Sequence, residues 1–506
     1  MIKNQRKIGV LLSYITLAAN SVVGIIFTPF MTSTLGKAEY GIYQLVASFS
    51  AYLMLVDFGT GTTITRYLSK FRAQQDKEGE ENFLAMMTVQ TAILSLVAVI
   101  GGMVIYFNLD SMFAATLTVA ELATAKKLFL LMIANVAVTL FNHVWRGITT
   151  ADERFVYNNG VKLVRIFLRM GLITVLLLLG FGSVSLILVD LSLSIFFLLL
   201  NMFMALRVVR ARIKFHFFDT FLFKETFLFS SFILLQALIN QLNTNAPKTI
   251  LGMLLSPEAV AVYAVAMQIF VIYNSLSSTV SSVFLPKATR MVFSDADEIK
   301  LTDFVITPGR LQFMVLGIAL AGFSVLGQDF ILLWMGEEYK LAWLITLIVM
   351  VPSTIELIEN VAVSIVLAKN KNGFRTGVLA GISLLNILIS VVLIKMIGEL
   401  GAPIATAITY VLGYIIVLNI YYKKVIGLQV GRMFKEIFKG TLPALLVTAI
   451  ATVPVHLWLN QRSWIIFGVK AIYMLAIYTV CMLLFGMNPS EKQLVKNLLR
   501  KLKISR

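Results

Sequence analysis

The sequence predicts an all-α polytopic membrane protein. About 14 transmembrane helices form two parallel six-helix lobes plus two C-terminal helices. Three observations predict this. First, 58% of the 506 residues are apolar and 14% are charged, whereas an ordinary soluble domain carries about 25% charged residues. Mean hydropathy is +0.87. Second, the apolar runs are continuous over ~20 residues rather than alternating, which favours helices over a β-barrel. Third, the basic residues are unevenly shared among the loops. This composition excludes a soluble enzyme, a disordered chain and a secreted disulfide scaffold. The single cysteine, Cys481, permits no internal disulfide, and His143, His216 and His456 lie too far apart in sequence to suggest zinc.

The apolar runs place spans at 8–31, 40–61, 83–106, 126–149, 161–181, 183–206, 226–246, 258–285, 310–334, 342–367, 375–397, 402–422, 441–459 and 464–486. The first run follows Lys3, Arg6 and Lys7 and is too long for a signal peptide, so it is read as a retained span. Tight joints such as Gly180-Phe181-Gly182 and Gly398 to Gly401 force antiparallel neighbours. With the N-terminus inside, the inner segments hold 32 Lys and Arg and the outer ones 6. Basic residues collect on the cytoplasmic side, so both termini are expected inside and the number of spans even, which leaves 12 as well as 14 open. The same rule accounts for the net charge of +17 without nucleic acid. The tail at 487–506 carries Lys492, Lys496, Arg500, Lys501, Lys503 and Arg506 among leucines, the pattern of a basic anchor on the inner membrane surface. Recruitment of partner proteins is the alternative.

A shift of 220 residues places Asn20 on Asn240, Leu35 on Leu255, Tyr43 on Tyr263 and Lys70 on Arg290. The shift is an even number of spans, so both halves share one orientation, as in transporters built from parallel repeats. The chain then divides into a lobe at 1–206, a basic cytoplasmic linker at 207–224, a lobe at 225–422, two further helices at 423–486 and the tail at 487–506. There is no G-x-x-x-x-G-K-[ST], and Gly59-Thr60-Gly61 lacks the third glycine of a dinucleotide loop. No nucleophile–base pair stands out. No cofactor is expected, and transport rather than catalysis is.

Ionisable groups in mid-bilayer cost about 2.5–3.5 kcal/mol, so each requires a cavity or a partner. In span 5, Lys162, Arg165 and Arg169 follow i, i+3, i+7 spacing and share one face. Two deep arginines on one stripe suit a pyrophosphate, which the guanidinium fork grips in bidentate fashion. The alternative is a structural pair with Asp190. Arg146 in span 4 is either a substrate contact or an interfacial arginine. Span 7 carries Gln236, Asn240 and Asn243 on one stripe with Pro247. Such amides face water or a partner helix, because lipid leaves them unsatisfied. With Asn20 of span 1 and nearby tyrosines they suit sugar hydroxyls, although asparagine also serves as interhelical glue. Asp57 in span 2 and Glu356 in span 10, just past Pro352, are candidates for coupling to H+ or Na+. The alternative for Asp57, Glu356 and Glu359 is a salt bridge to Arg146, Arg375 or Lys395.

The stretch Leu35-Gly36-Lys37-Ala38-Glu39-Tyr40-Gly41-Ile42-Tyr43-Gln44-Leu45 is followed by Asp57-Phe58-Gly59 and Arg66. It resembles the L-G-x-x-x-[YF]-G-x-Y and D-x-G patterns of Wzx-like polysaccharide flippases. These form the polysaccharide transport branch of the multidrug/oligosaccharidyl-lipid/polysaccharide exporter superfamily. The loop Ala368-Lys369-Asn370-Lys371-Asn372 is similar to that family as well. The resemblance implies a MATE-like fold in the bacterial cytoplasmic membrane, with two six-helix lobes facing each other across a cationic cleft lined by spans 1, 2, 7 and 8. It implies that an undecaprenyl-pyrophosphate-linked oligosaccharide moves from the inner to the outer leaflet, for O-antigen, capsule or exopolysaccharide synthesis. Asn20, Asn240 and Asn243 would line the cleft. The competing readings are a multidrug/cation antiporter, a scaffold for polysaccharide-assembly enzymes, and a flippase for a peptidoglycan precursor.

Overall fold

The computed structural model describes residues 2–57, 59–217, 220–281, 284, 290–292 and 297–493. The described residues are mostly helical, with no strand among them. They fall into two compact units, Met1–Ala264 and Val265–Arg506. Eleven helical segments among them are long and apolar enough to cross a membrane. The difference from 14 has three sources, the first being that expected span 7 lies in a helix, Thr220–Leu254, that is not among the eleven. Expected span 5 is a helix, but Lys162, Arg165 and Arg169 all fall in its most apolar stretch. Expected spans 11 and 12 lie in one segment, Asn372–Ile426, interrupted by a short turn at Gly398–Leu400. The basic tail beyond Gln493 lies outside the described residues.

The first unit opens with α1 (Ile2–Leu35), which contains Pro29. Proline removes one backbone donor from the helical ladder. The Thr32 hydroxyl, buried beside it, donates to the Thr28 and Pro29 carbonyls. Gly36, at φ 79°, ends α1 and starts α2 (Lys37–Leu53). Gly41 of α2 lies so close to the start of α9 (Pro257–Ser281) that a Cβ there would overlap the Pro257 carbonyl. The glycine of the Y-G-x-Y stretch is therefore a packing requirement. Span 2 is not one helix, as its hydropathy suggested. It tightens into a 3-10 turn at Met54–Asp57, and Gly59 adopts φ 67° before α3 (Thr60–Ala73) begins. Only glycine takes that conformation without strain.

Helix α4 (Lys77–Phe113) starts at an Asp76 cap that accepts from the Gly79 N–H. Helix α5 (Val119–Ala151) starts at a capping box of Thr118 and Glu121. Next come α6 (Phe155–Leu178) and α7 (Val184–Phe203), joined through Gly180 at φ 84°. After α7 the chain leaves helical form, and the Asn82 carboxamide accepts from the backbone N–H groups of His216 and Phe217. The stretch expected as a linker is thereby tied to α4. Helix α8 (Thr220–Leu254) runs on through Pro247.

In the second unit, α10 (Glu298–Met335) precedes α11 (Leu341–Ile358) and α12 (Asn360–Ala368). Expected span 10 is broken at Glu359 rather than at Pro352, which stays inside α11. The Glu359 N–H turns to the Glu356 carbonyl, an i−3 bond that tightens the helix end. Helices α13 (Asn372–Ile397) and α14 (Gly401–Tyr410) follow, the latter continued by wider turns to Ile426. Amphipathic α15 (Val430–Phe438) leads to α16 (Thr441–Trp458) and α17 (Trp464–Cys481). Two buried charge clusters fasten these last helices. Arg310 of α10 meets Glu491 at 2.6 Å, and Lys470 of α17 meets Asp329 of α10 at 2.7 Å.

Candidate functional site

Two polar pockets lie in the first unit. The first, of about 510 Å³, is lined by Ser13, Thr16 and Asn20 of α1 and by Asn159, Lys162, Arg165 and Arg169 of α6. Each helix contributes a stripe at helical spacing. Gly9 permits the close approach, since a Cβ there would stand 2.5 Å from the Phe155 Cβ. The Asn159 carboxamide donates to the Gly9 carbonyl at 2.9 Å and fixes the register.

Arg169 combines both sequence readings. It lines the pocket and also forms a bidentate pair with Asp190 of α7, at 2.6 and 3.0 Å. Its Nη2 donates to the Tyr43 hydroxyl as well, at 3.0 Å. Tyr43 thus ties the L-G-x-x-x-Y-G-x-Y stretch to the cationic stripe. Arg165 donates one bond to the Ser194 hydroxyl at 2.9 Å. Lys162 is exposed. With Arg169 neutralised by Asp190, the surplus positive charge of this pocket sits on Lys162 and Arg165.

The second pocket, of about 540 Å³, lies where α3 restarts beside α5. Asp57, Thr62, Arg66, His143 and Arg146 are among its lining residues. Asp57 meets none of the basic partners the sequence offered. Its Oδ1 stands 3.0 Å from His143 Nδ1, close enough for an ion pair but off-line for a hydrogen bond. Arg146 is therefore in a different pocket from Arg165 and Arg169.

The amides of α8 are less uniform than the stripe suggested. Asn240 is exposed, while Asn243 is half-buried with its Oδ1 unbonded. Asn245 donates to Gln241 within the helix. The Gln236 side chain lies outside the described residues. In the second unit, Glu356 lies near Tyr414 and Arg375. Glu359, at the break, is 4% exposed and leaves its Oε1 unbonded.

Sequence reasoning named Asn20 but missed Ser13 and Thr16, although i, i+3, i+7 spacing marks the three. It missed Asn159, one turn before Lys162 on the same face. It missed the pairing of Asp57 with His143, for which no local signal exists.

A model of the polysaccharide biosynthesis protein family matches residues 6–292, more than half of the chain and the part that holds both pockets. The chain belongs to the polysaccharide biosynthesis protein family. A curated relative, the probable flippase AglR of Haloferax volcanii, is 28% identical over 182 residues. That match covers 35% of this chain and 37% of the relative's own length. Among solved structures, the lipid II flippase MurJ in an inward closed conformation superposes with a TM-score of 0.73 at 15% identity, over 93% of this chain and 98% of that one. An inward-facing multidrug resistance transporter of the MATE family superposes with a TM-score of 0.59 at 15% identity, over 83% and 96%. These likenesses show the fold alone, which is that of the MurJ and MATE transporters. The charged pockets are features of this chain's own residues.

Proposed function

We propose that this protein is a flippase. It carries an undecaprenyl-pyrophosphate-linked oligosaccharide from the inner to the outer leaflet of the cytoplasmic membrane for cell-surface polysaccharide synthesis. The observation that carries the reading is the pocket between α1 and α6. It sets Lys162 and Arg165 against the hydroxyls and amides of Ser13, Thr16 and Asn20 inside an apolar protein. Cations and amide donors on opposite walls suit a ligand that is both a polyanion and a glycan. The isoprenoid tail need not leave the lipid. Family membership and the fold support the same reading. The lobes at 1–206 and 225–422 alternate access, with Asn20, Asn240 and Asn243 facing the glycan. The lipophilic cations that a multidrug antiporter carries would be repelled by this pocket. Loss of the gene is expected to stop surface polysaccharide and leave lipid-linked units on the inner leaflet, while overexpression leaves drug tolerance unchanged. The opposite pattern would identify the antiporter.

Both termini lie inside, by the charge bias of the loops. In a Cys481→Ser background, Gln74→Cys is expected to resist an impermeant thiol reagent in intact cells and to react after permeabilisation. Reaction in intact cells would invert the map.

Glu356 and Asp57 are the candidates for coupling to H+ or Na+. Glu356 has the stronger geometry, since it sits one turn before the α11–α12 break. Glu356→Gln keeps the shape and removes the charge. In proteoliposomes this variant is expected to bind the lipid-linked oligosaccharide but to lose its response to an imposed pH or Na+ gradient. A folded variant that still answers both gradients would remove Glu356 from the mechanism.

A further inference from the structure

Between α7 and α8 the chain carries a charged strap that the transport reading does not use. It runs Arg207-Val208-Val209-Arg210-Ala211-Arg212-Ile213-Lys214-Phe215-His216-Phe217, with four arginines and lysines and no acid. The helical turns end at Arg210, which takes φ 60°, while the Ala211 N–H reaches back to the Ala205 carbonyl at 3.0 Å. Such a helix end ordinarily calls for glycine. From there burial alternates. Ala211 enters the core cluster that Ile64 and Leu68 of α3 form with Phe83 of α4 and Val144 of α5, and Ile213 packs against it. Arg212 and Lys214 are exposed. The apolar positions continue at the same interval to Phe215 and Phe217, but the cluster does not. These two rings are 57% and 53% exposed.

The strap lies where spans end. It begins as the apolar segment Val184–Val208 stops, and the exposed Leu199 and Phe203 side chains of α7 bring an apolar surface up to it. Its far end is held by the Asn82 carboxamide, near the start of another apolar segment, Lys77–Phe113. Glu81 stands 3.2 Å from His216 and 4.0 Å from Arg212. Arg207, Arg210 and Lys214 are exposed and make no ion pair among the described residues. Open rings beside unpaired cations at the end of a span suit the headgroup layer, where aromatic side chains sit at the boundary and cations meet anionic lipid. A soluble acidic partner would account for the cations but not for two phenylalanines left open at that depth.

We propose that residues 207–217 form a lipid-contact strap that binds anionic phospholipid headgroups of the adjoining leaflet and holds the α7–α8 connection on the membrane surface. Neither the flippase reading nor the sidedness of the termini enters this inference.

The test uses the full chain in detergent micelles, in a Cys481→Ser background with a donor fluorophore on Val208→Cys. Val208 is 43% exposed and is neither a cation nor a ring. Energy transfer to acyl-labelled phosphatidylglycerol reads binding at the strap. Binding is expected to saturate, and acyl-labelled phosphatidylcholine is expected to give only background transfer. Arg210→Asn with Lys214→Gln is expected to weaken phosphatidylglycerol binding by more than tenfold, at about fivefold per charge. Asparagine tolerates the backbone of residue 210, so the helix end is kept. Lys423→Gln with Lys424→Gln removes two exposed cations of the second unit and is expected to change nothing. Phe215→Ala with Phe217→Ala keeps every charge and is expected to weaken binding as well. Equal transfer to both lipids would leave the cations to a soluble acidic partner and overturn the proposal. Equal loss in the two cation double variants, or full binding in the phenylalanine double variant, would also overturn it. So would displacement of the lipid by inorganic phosphate at constant ionic strength, which would mark a site for free anions.

Discussion

Arg169→Ala is expected to abolish polysaccharide export and to lower thermal stability at the same time. The alanine removes a pocket cation and leaves Asp190, 19% exposed, without its bidentate partner. Removing one member of a fully buried pair costs about 3–5 kcal/mol. Partial exposure of both side chains lowers that to about 1–3 kcal/mol. The two effects separate in Arg169→Gln combined with Asp190→Asn, which leaves no unpaired charge. That double variant is expected to regain most of the melting temperature and none of the export. Arg169→Lys keeps the charge beside Asp190 without the fork and is expected to retain part of the export. Thermal melts in detergent and immunoblots of surface polysaccharide read the two quantities. Recovery of export in the double variant would mean that Arg169 only fastens α6 to α7.

Lys162→Gln combined with Arg165→Gln is expected to have the second large effect, and on transport alone. Lys162 is exposed, and Arg165 holds one neutral hydroxyl, so little of the fold depends on them. Hydrogen bonds to charged groups contribute about 1.5–3 kcal/mol each. The loss of two from a bound pyrophosphate corresponds to at least about a hundredfold in affinity. Export is expected to fall accordingly while the protein stays in the membrane at its normal level.

The fold was legible because a membrane simplifies the code. Long apolar runs must be helices, since lipid satisfies no backbone group. Helical spacing also exposed the Lys162–Arg165–Arg169 stripe, and Asp190 stood out as its possible partner before any contact was known. What escaped was set by tertiary packing. Hydropathy is blind to the break at Glu359, because the helices on both sides are equally apolar, and at Gly59 the polar start of α3 reads only as the end of a span. The Asp57–His143 contact joins the turn after α2 to α5 across 86 positions of sequence. Tyr43 was visible as part of a motif, yet its hold on Arg169 depends on how α2 meets α6. The helices that are not apolar enough to count as spans include the one carrying the cations. The charges that make α6 useful are the ones that make it a poor span.

The most direct measurement is flipping itself. Purified protein is placed in liposomes with a fluorescent undecaprenyl-pyrophosphate-linked oligosaccharide in both leaflets, and access of an external glycosidase is followed in time. The account predicts that wild type exposes the inner-leaflet pool, that empty liposomes protect it, and that the Lys162→Gln/Arg165→Gln protein protects it nearly as well while folded. Equal exposure by wild type and this variant, or protection of the pool by folded wild type, would contradict it.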